Sequence, residues 1–261
     1  MSGSIVIDRA GDTAAWLAMI HGMSHDHRYF SAQTPCFEPR YRIQLVDLPG
    51  HGLAAAATGP FGPEEYAAAV SSAFDEAGAD RLHCWGTHTG AAIALLLAVR
   101  QPDRFRSLVL EAPVTPGTPP PYVAARLDAA RRIAREHGVR RALEDWIEHS
   151  AWFQVINENH AQCRAAEHRA MVMDFSGGPW LDHAPAKPLD FDLKALSQLR
   201  LPVLLINGER DHADFVEVSD RLEATLPDAE RIRIPEAGGF PTWEYPGRVN
   251  AEVRRFFERV G

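Results

Sequence analysis

The stretch from Arg81 to Gln101 constrains the fold more than any other. A short apolar run ending in Cys84-Trp85 meets Gly86-Thr87-His88-Thr89-Gly90, and an Ala/Leu-rich run from Ala91 to Gln101 follows, stopped by Pro102. The first run suits a buried strand. The second is apolar almost all round and suits a helix buried against a sheet. Glycines at both ends of the junction predict a sharp strand-to-helix turn with His88 at its tip. Such a unit needs further strands beside the first segment and helices layered over the sheet.

The rest of the chain supplies them. Ala14 to Ile20 reads as a strand ended by His21-Gly22, and Tyr41 to Asp47 as a second, ended by Leu48-Pro49-Gly50-His51-Gly52. Pro63 to Gly78 suits a helix, with Pro near its start, Glu64 and Glu65 in its first turn and Gly at its end. Arg106 to Ala112 continues the alternation, which predicts right-handed crossovers and a mostly parallel sheet. The rhythm then changes. Five prolines fall between Pro113 and Pro121, and residues from about Tyr122 to Asp174 read as almost wholly helical. Ser176-Gly177-Gly178-Pro179 and Pro185 to Pro188 lead back to the sheet. Pro/Gly-rich joints on both sides mark residues 113–199 as a helical cap inserted into a core of residues 1–112 and 200–261. In that second part of the core, Leu201 to Gly208 and Arg231 to Ile234 read as strands. Asp214 to Leu226 and Arg248 to Val260 read as helices.

Composition narrows the function classes. A net charge of −8 argues against a nucleic-acid or anionic-membrane surface. No apolar run approaches the ~20 residues of a membrane span. The start, Met-Ser-Gly-Ser-Ile-Val-Ile-Asp, lacks the basic region and long apolar core of a signal peptide. Cys36, Cys84 and Cys163 are scattered without CxxC spacing, so they suggest neither a disulfide framework nor a zinc site and fit a reducing compartment. The expectation is a cytoplasmic α/β protein that acts on a small molecule, with no nucleic-acid or membrane partner, no metal and no cofactor. Oligomeric state is open.

Five motifs, in order, resemble those of the α/β-hydrolase superfamily. His21-Gly22-Met23 looks like its oxyanion loop, and Asp47-Leu48-Pro49-Gly50-His51-Gly52 is similar to its Asp-x-x-Gly-His-Gly signature. Gly86-Thr87-His88-Thr89-Gly90 matches the nucleophile elbow, and Gly208-Glu209-Arg210-Asp211 the Gly-x-x-Asp that carries the acid. Ala237-Gly238-Gly239-Phe240-Pro241, with Glu244 and Pro246, looks like the loop that carries the catalytic histidine. The resemblance runs from about residue 14 to the C-terminus and implies an α/β-hydrolase fold with an inserted helical cap.

Two positions depart from the pattern. His88 stands where the family has its nucleophile, and Gly239 where it has its histidine. A standard Ser-His-Asp mechanism is thereby excluded, because the tip has no hydroxyl and the loop no base. The paired change suggests that the imidazole has moved from the loop to the tip. His88 would then fill the space that Gly239 leaves and point at Asp211. This dyad would activate water, with the amides of Thr89 and Met23 stabilising an oxyanion. Alternatively His88 attacks directly and forms an acyl-imidazole. Glu111, ending the strand after the elbow helix, is the alternative acid or else a structural carboxylate. Gly22, His25, Trp152 and Gly239 are expected around the substrate.

Other polar groups have plainer readings. His25-Asp26-His27-Arg28 resembles a segment of the family's cofactor-free ring-opening dioxygenases, but as turn chemistry it needs only Asp26 capping a short helix. His51 and His212 read as structural, and Trp146, Trp152 and Phe153 as packing residues first and pocket walls second. Two classes of function remain. One is a hydrolase for an ester, thioester, lactone or activated carbonyl, with lyase or cofactor-free oxygenase chemistry as a variant. The other is a non-catalytic small-molecule binder on the same fold.

Overall fold

The computed structural model describes residues 3–117 and 119–261. Strands β1 (Gly3–Ile7), β2 (Ala15–Ile20), β3 (Tyr41–Asp47), β4 (Leu82–Thr87), β5 (Phe105–Glu111), β6 (Val203–Gly208) and β7 (Ala229–Ile234) form one sheet in the order β1-β3-β2-β4-β5-β6-β7. All neighbours are parallel except β1, which runs antiparallel to β3. The parallel part follows the alternation in the sequence. Edge strand β1 was not legible there, because its apolar run, Ile5-Val6-Ile7, is only three residues long and half-exposed.

Alternation along the inner strands supplies both faces of the core. Trp16, Ala18 and Ile20 of β2 point to one side, against α1 (Pro63–Ala77) and α2 (Thr89–Arg100). Leu17 and Met19 point to the other, where α7 (Pro246–Val260) buries Val249, Val253, Phe256 and Phe257. Between β5 and β6 come α3 (Pro121–His137), α4 (Val139–His149), several short helical turns and α5 (Ala165–Met173). Helix α6 (Ala213–Thr225) follows β6. Asp214, in its first turn, accepts hydrogen bonds from the amides of Tyr122 and Val123, which fixes the start of α3 beside the end of β6. Among the described residues no helix is long and apolar enough to cross a membrane.

The β4–α2 junction is as sharp as the glycine spacing predicts. His88 sits between strand and helix at φ 48°, ψ −108°, a conformation costly for a residue with a side chain. Gly86 lies against the backbone of Gly90 and Ala91, and Gly90 against that of Ile20 and His21, so a Cβ at either site would overlap main-chain atoms. The turn is closed from the next strand by the His88 amide donating to Glu111 O at 3.0 Å.

Gly90→Ala is therefore expected to lower the unfolding free energy by about 2–3 kcal/mol through forced backbone movement. Gly247→Ala on α7, where nothing lies within 4 Å of the added carbon, should be neutral or slightly stabilising. Urea denaturation of the two variants checks the contrast.

Candidate active site

The imidazole at the strand–helix turn is buried and held on three sides. His88 Nε2 is 2.9 Å from Gly239 O. A carbonyl only accepts, so Nε2–H donates and the neutral ring keeps its lone pair on Nδ1. The rings of Phe215 and Phe240 lie against it, with centroids 4.5 and 4.8 Å away. Burial among them pushes the imidazole down to about 4, opposed by the bond to Gly239. His88 is therefore uncharged at neutral pH.

Gly239 does not leave a vacant space. A Cβ there would lie 2.5 Å from Trp152 Cβ and 3.0 Å from Trp152 Cα, so the segment around Trp152 fills the room a side chain would take. Glu244 holds the loop from beneath, accepting from the amides of Gly238 and Phe240 on either side of Gly239. Burial pushes this carboxyl up to about 8, against the pull of those two amides. With its flanking amides tied down, Gly239 turns its carbonyl to His88.

The hydrogen bond expected between His88 and Asp211 is not made. Asp211 instead accepts from Asn207 Nδ2 and from the His212 amide, both at 2.8 Å, and belongs to the turn after β6. Desolvation pushes it up to about 7. Glu111 does not bond to the imidazole either. Its buried carboxylate accepts from Tyr29 Oη, from Thr87 Oγ1 at 2.6 Å and from the Thr242 amide at 2.6 Å. It ties the residue before the tip to the segment after Gly239, rather than closing the turn before Pro113.

His25 lies beside this centre. Its Nδ1–H donates to Met23 O at 3.0 Å, and its Nε2 meets His168 Nε2 at 2.9 Å. Burial pushes His25 down to about 3. In the same segment Asp26 caps the short helix His27–Phe30 by accepting from the Arg28 amide, and His27 pairs with Asp47. His212 accepts from the Asp214 amide and stacks on Tyr122 at 4.2 Å, so it is occupied by its own turn. No group of three or more His, Cys, Asp or Glu among the described residues could hold a metal ion.

A cavity of about 240 Å³ opens above the turn. Met23, His88, Thr89 and Trp152 all line it, so four of the residues expected at the site share one space. Asp211, Glu111 and His25 do not line it, while Gly22 backs onto His88 Cβ. The walls are mostly apolar side chains that the motifs did not reveal, among them Val114, Val123, Leu127, Phe215 and Phe240. Val123 and Leu127 are one helical turn apart on α3, a spacing visible in the sequence as amphipathicity but not as a binding surface. Thr89 begins α2, so its amide is one of the unpaired donors at a helix N-terminus.

Residues 15–246 match the family described as alpha/beta hydrolase fold. A 2-hydroxy-6-oxononadienedioate/2-hydroxy-6-oxononatrienedioate hydrolase from a Pseudomonas species is 24% identical, over 99% of this chain and 93% of the relative. A pimeloyl-acyl-carrier-protein methyl ester esterase from Neisseria meningitidis serogroup C is 28% identical, over 95% of this chain and 96% of its own. The solved structure of MenH from S. aureus superposes with a TM-score of 0.83 at 19% identity, covering 98% of both chains.

The buried titratable groups predict an unusual stability profile. His25 and His51 at about 3, and His83 and His88 at about 4, refuse protons that the unfolded chain takes up below about pH 6.5, so stability falls with acid. Asp211 at about 7 and Glu244 at about 8 keep protons that the unfolded chain has released, so stability also falls as pH rises towards 8. Thermal melts should show a maximum near pH ~6.5. Glu244→Gln should flatten the alkaline limb and move the maximum to higher pH, because the Glu244 carboxyl opposes stability from about pH 4.5 up to about 8.

Proposed function

Since the chain belongs to the alpha/beta hydrolase fold family, we propose that it hydrolyses a small, largely apolar ester, or a thioester, lactone or similarly activated carbonyl, with His88 as the reacting side chain. The observation that carries this reading is the neutral imidazole on a strained strand–helix turn, lining an apolar cavity beside the N-terminus of α2. On this reading residues 113–199 form a cap over a core of residues 1–112 and 200–261. The cavity between them holds the substrate.

Each group then has a role that its surroundings support. With Nε2 donating to Gly239, Nδ1 is the nitrogen free to take a proton from water. The amides of Thr89 and Met23 stabilise the oxyanion as water adds to the carbonyl, the first helped by the helix dipole. No carboxylate supports the imidazolium that forms, only Gly239 O. A base near 4 is a weak one at neutral pH, which restricts useful turnover to carbonyls that are already activated. Direct attack by Nδ1 is the competing route, and its acyl-imidazole would be open to water from the same cavity. Asp211 and Glu111 act through the backbone: Asp211 shapes the turn after β6, and Glu111 positions the tip and the loop. The Neisseria relative is named for the hydrolysis of an ester, in keeping with the chemistry proposed.

A second reading is supported by the missing acid. A weakly basic imidazole without a carboxylate partner is also what a pocket kept for binding alone would contain. The two readings separate on p-nitrophenyl esters and lactones. Hydrolysis should fall about 10²–10⁴-fold in His88→Ala. In the wild type, kcat/KM should rise through pH about 4 and stay level to pH ~8, in place of the usual rise near 6.5. Equal rates in wild type and His88→Ala overturn a catalytic His88. Saturable binding without turnover in either protein establishes the binder.

A further inference from the structure

The cavity has two chemically different ends. Near His88 it is walled by Phe215, Phe240, Trp152 and Val123. Val123, Leu127 and Arg131 all line it, and they fall at i, i+4 and i+8 on α3, a single stripe along one helix face. At 1.5 Å per residue, Arg131 lies about 12 Å along the helix from Val123. The start of α3 is fixed next to Phe215 by Asp214, so the stripe leads away from the imidazole. Among the described residues that line the cavity, Arg131 is the one with a charged side chain.

Two observations set this far end apart. Among the described residues, Arg131 has only Asp128 as an ion-pair partner, at 3.3 Å, and that carboxylate is 77% exposed. Such a surface pair holds a guanidinium weakly. Tyr66, another lining residue, is 4% exposed, and its hydroxyl has no hydrogen-bond partner among the described residues. A buried phenol without a partner is costly, and a ligand acceptor can recover that cost. Arg131 is near enough to Tyr66 to oppose the upward push that burial gives its hydroxyl, while Glu65 and Asp182 reinforce that push. These two acids do not line the cavity.

We propose that the cavity takes an acyl chain carrying a terminal carboxylate, with the scissile carbonyl at His88 and the far carboxylate on Arg131, helped by Tyr66. The proposal rests on the cavity being the substrate site, and Arg131 is its specificity-determining residue. An extended chain advances ~3.6 Å per three bonds, so about 12 Å corresponds to roughly ten chain atoms, fewer once the length of the Arg131 side chain is counted.

The test compares p-nitrophenyl monoesters of adipic, suberic and sebacic acids with p-nitrophenyl esters of the matching monocarboxylic acids. The wild type should favour the carboxylate-ended series in KM, by about tenfold at the best length. Arg131→Gln should abolish that ratio and Arg131→Lys should keep part of it. Arg132→Gln, an exposed neighbour paired with Glu136, should retain it in full. A wild-type ratio of one, a ratio unmoved by Arg131→Gln, or equal loss in Arg132→Gln overturns the proposal. If neither series is hydrolysed, the esterase reading fails by itself. Calorimetry with the corresponding dicarboxylic monoamides then decides the anchor: weaker binding to Arg131→Gln supports it, and equal binding overturns it.

Discussion

Three segments far apart in sequence meet on the carboxylate of Glu111. It accepts from Thr87, the residue before the turn, from Tyr29, which follows the His21-Gly22-Met23 loop, and from the amide of Thr242, which follows Gly239. A fully buried acid is costly unless hydrogen bonds surround it, and here they do. Those same bonds set the position of the imidazole relative to the loop that faces it. The strand partner adds to this, since Thr87 lies in register with Glu111 and the His88 amide donates to the Glu111 carbonyl. The strain at His88 persists because this junction over-determines it.

The loop opposite is fixed with equal economy. Glu244 takes the amides on both sides of Gly239, and Trp152 occupies the room where a side chain at 239 would go. The carbonyl of Gly239 then meets His88 Nε2. The tip, the loop and the segment around Trp152 are thus interdependent. A larger residue at 239 would displace Trp152, and a smaller one at 88 would leave that carbonyl without its donor.

The sequence carried the scaffold more fully than the site. Apolar or alternating runs with turn signals marked six of the seven strands, the inner ones most clearly because parallel strands buried on both faces read as near-continuous apolar runs. β1 escaped because an antiparallel edge strand need not be apolar. Glycine spacing placed His88 at a sharp turn. Motif order also brought Met23 and Thr89 to one cavity, because it fixes which strand ends lie side by side. What the sequence did not carry was direction. Whether the ring turns to a carboxylate or to a carbonyl depends on Trp152 filling the space at Gly239 and on Asn207 already holding Asp211, both non-local contacts. The pocket walls were equally hidden. Val123, Leu127 and Arg131 look like the inner stripe of any amphipathic helix until the fold lays them over the turn.

On the proposed reading, the buried acids explain why one imidazole would do the work that a triad divides. Glu111, Asp211 and Glu244 all have raised pKa values, first through desolvation, and Asp211 and Glu244 further through repulsion from neighbouring acids; all three are used on backbone amides or neighbouring side chains. None is free to stabilise a cation at His88. Burial also keeps the ring uncharged, and a positive ring would cost more here than in water. On the proposed reading, the barrier then depends chiefly on the fixed amides at the start of α2 and in the Met23 loop. They meet the charge on the substrate oxygen without reorganising. A site built this way favours substrates whose carbonyl carbon is electrophilic before it binds. Under the same proposal, discrimination among them would fall to the apolar walls and to Arg131 at the far end of α3's inner stripe.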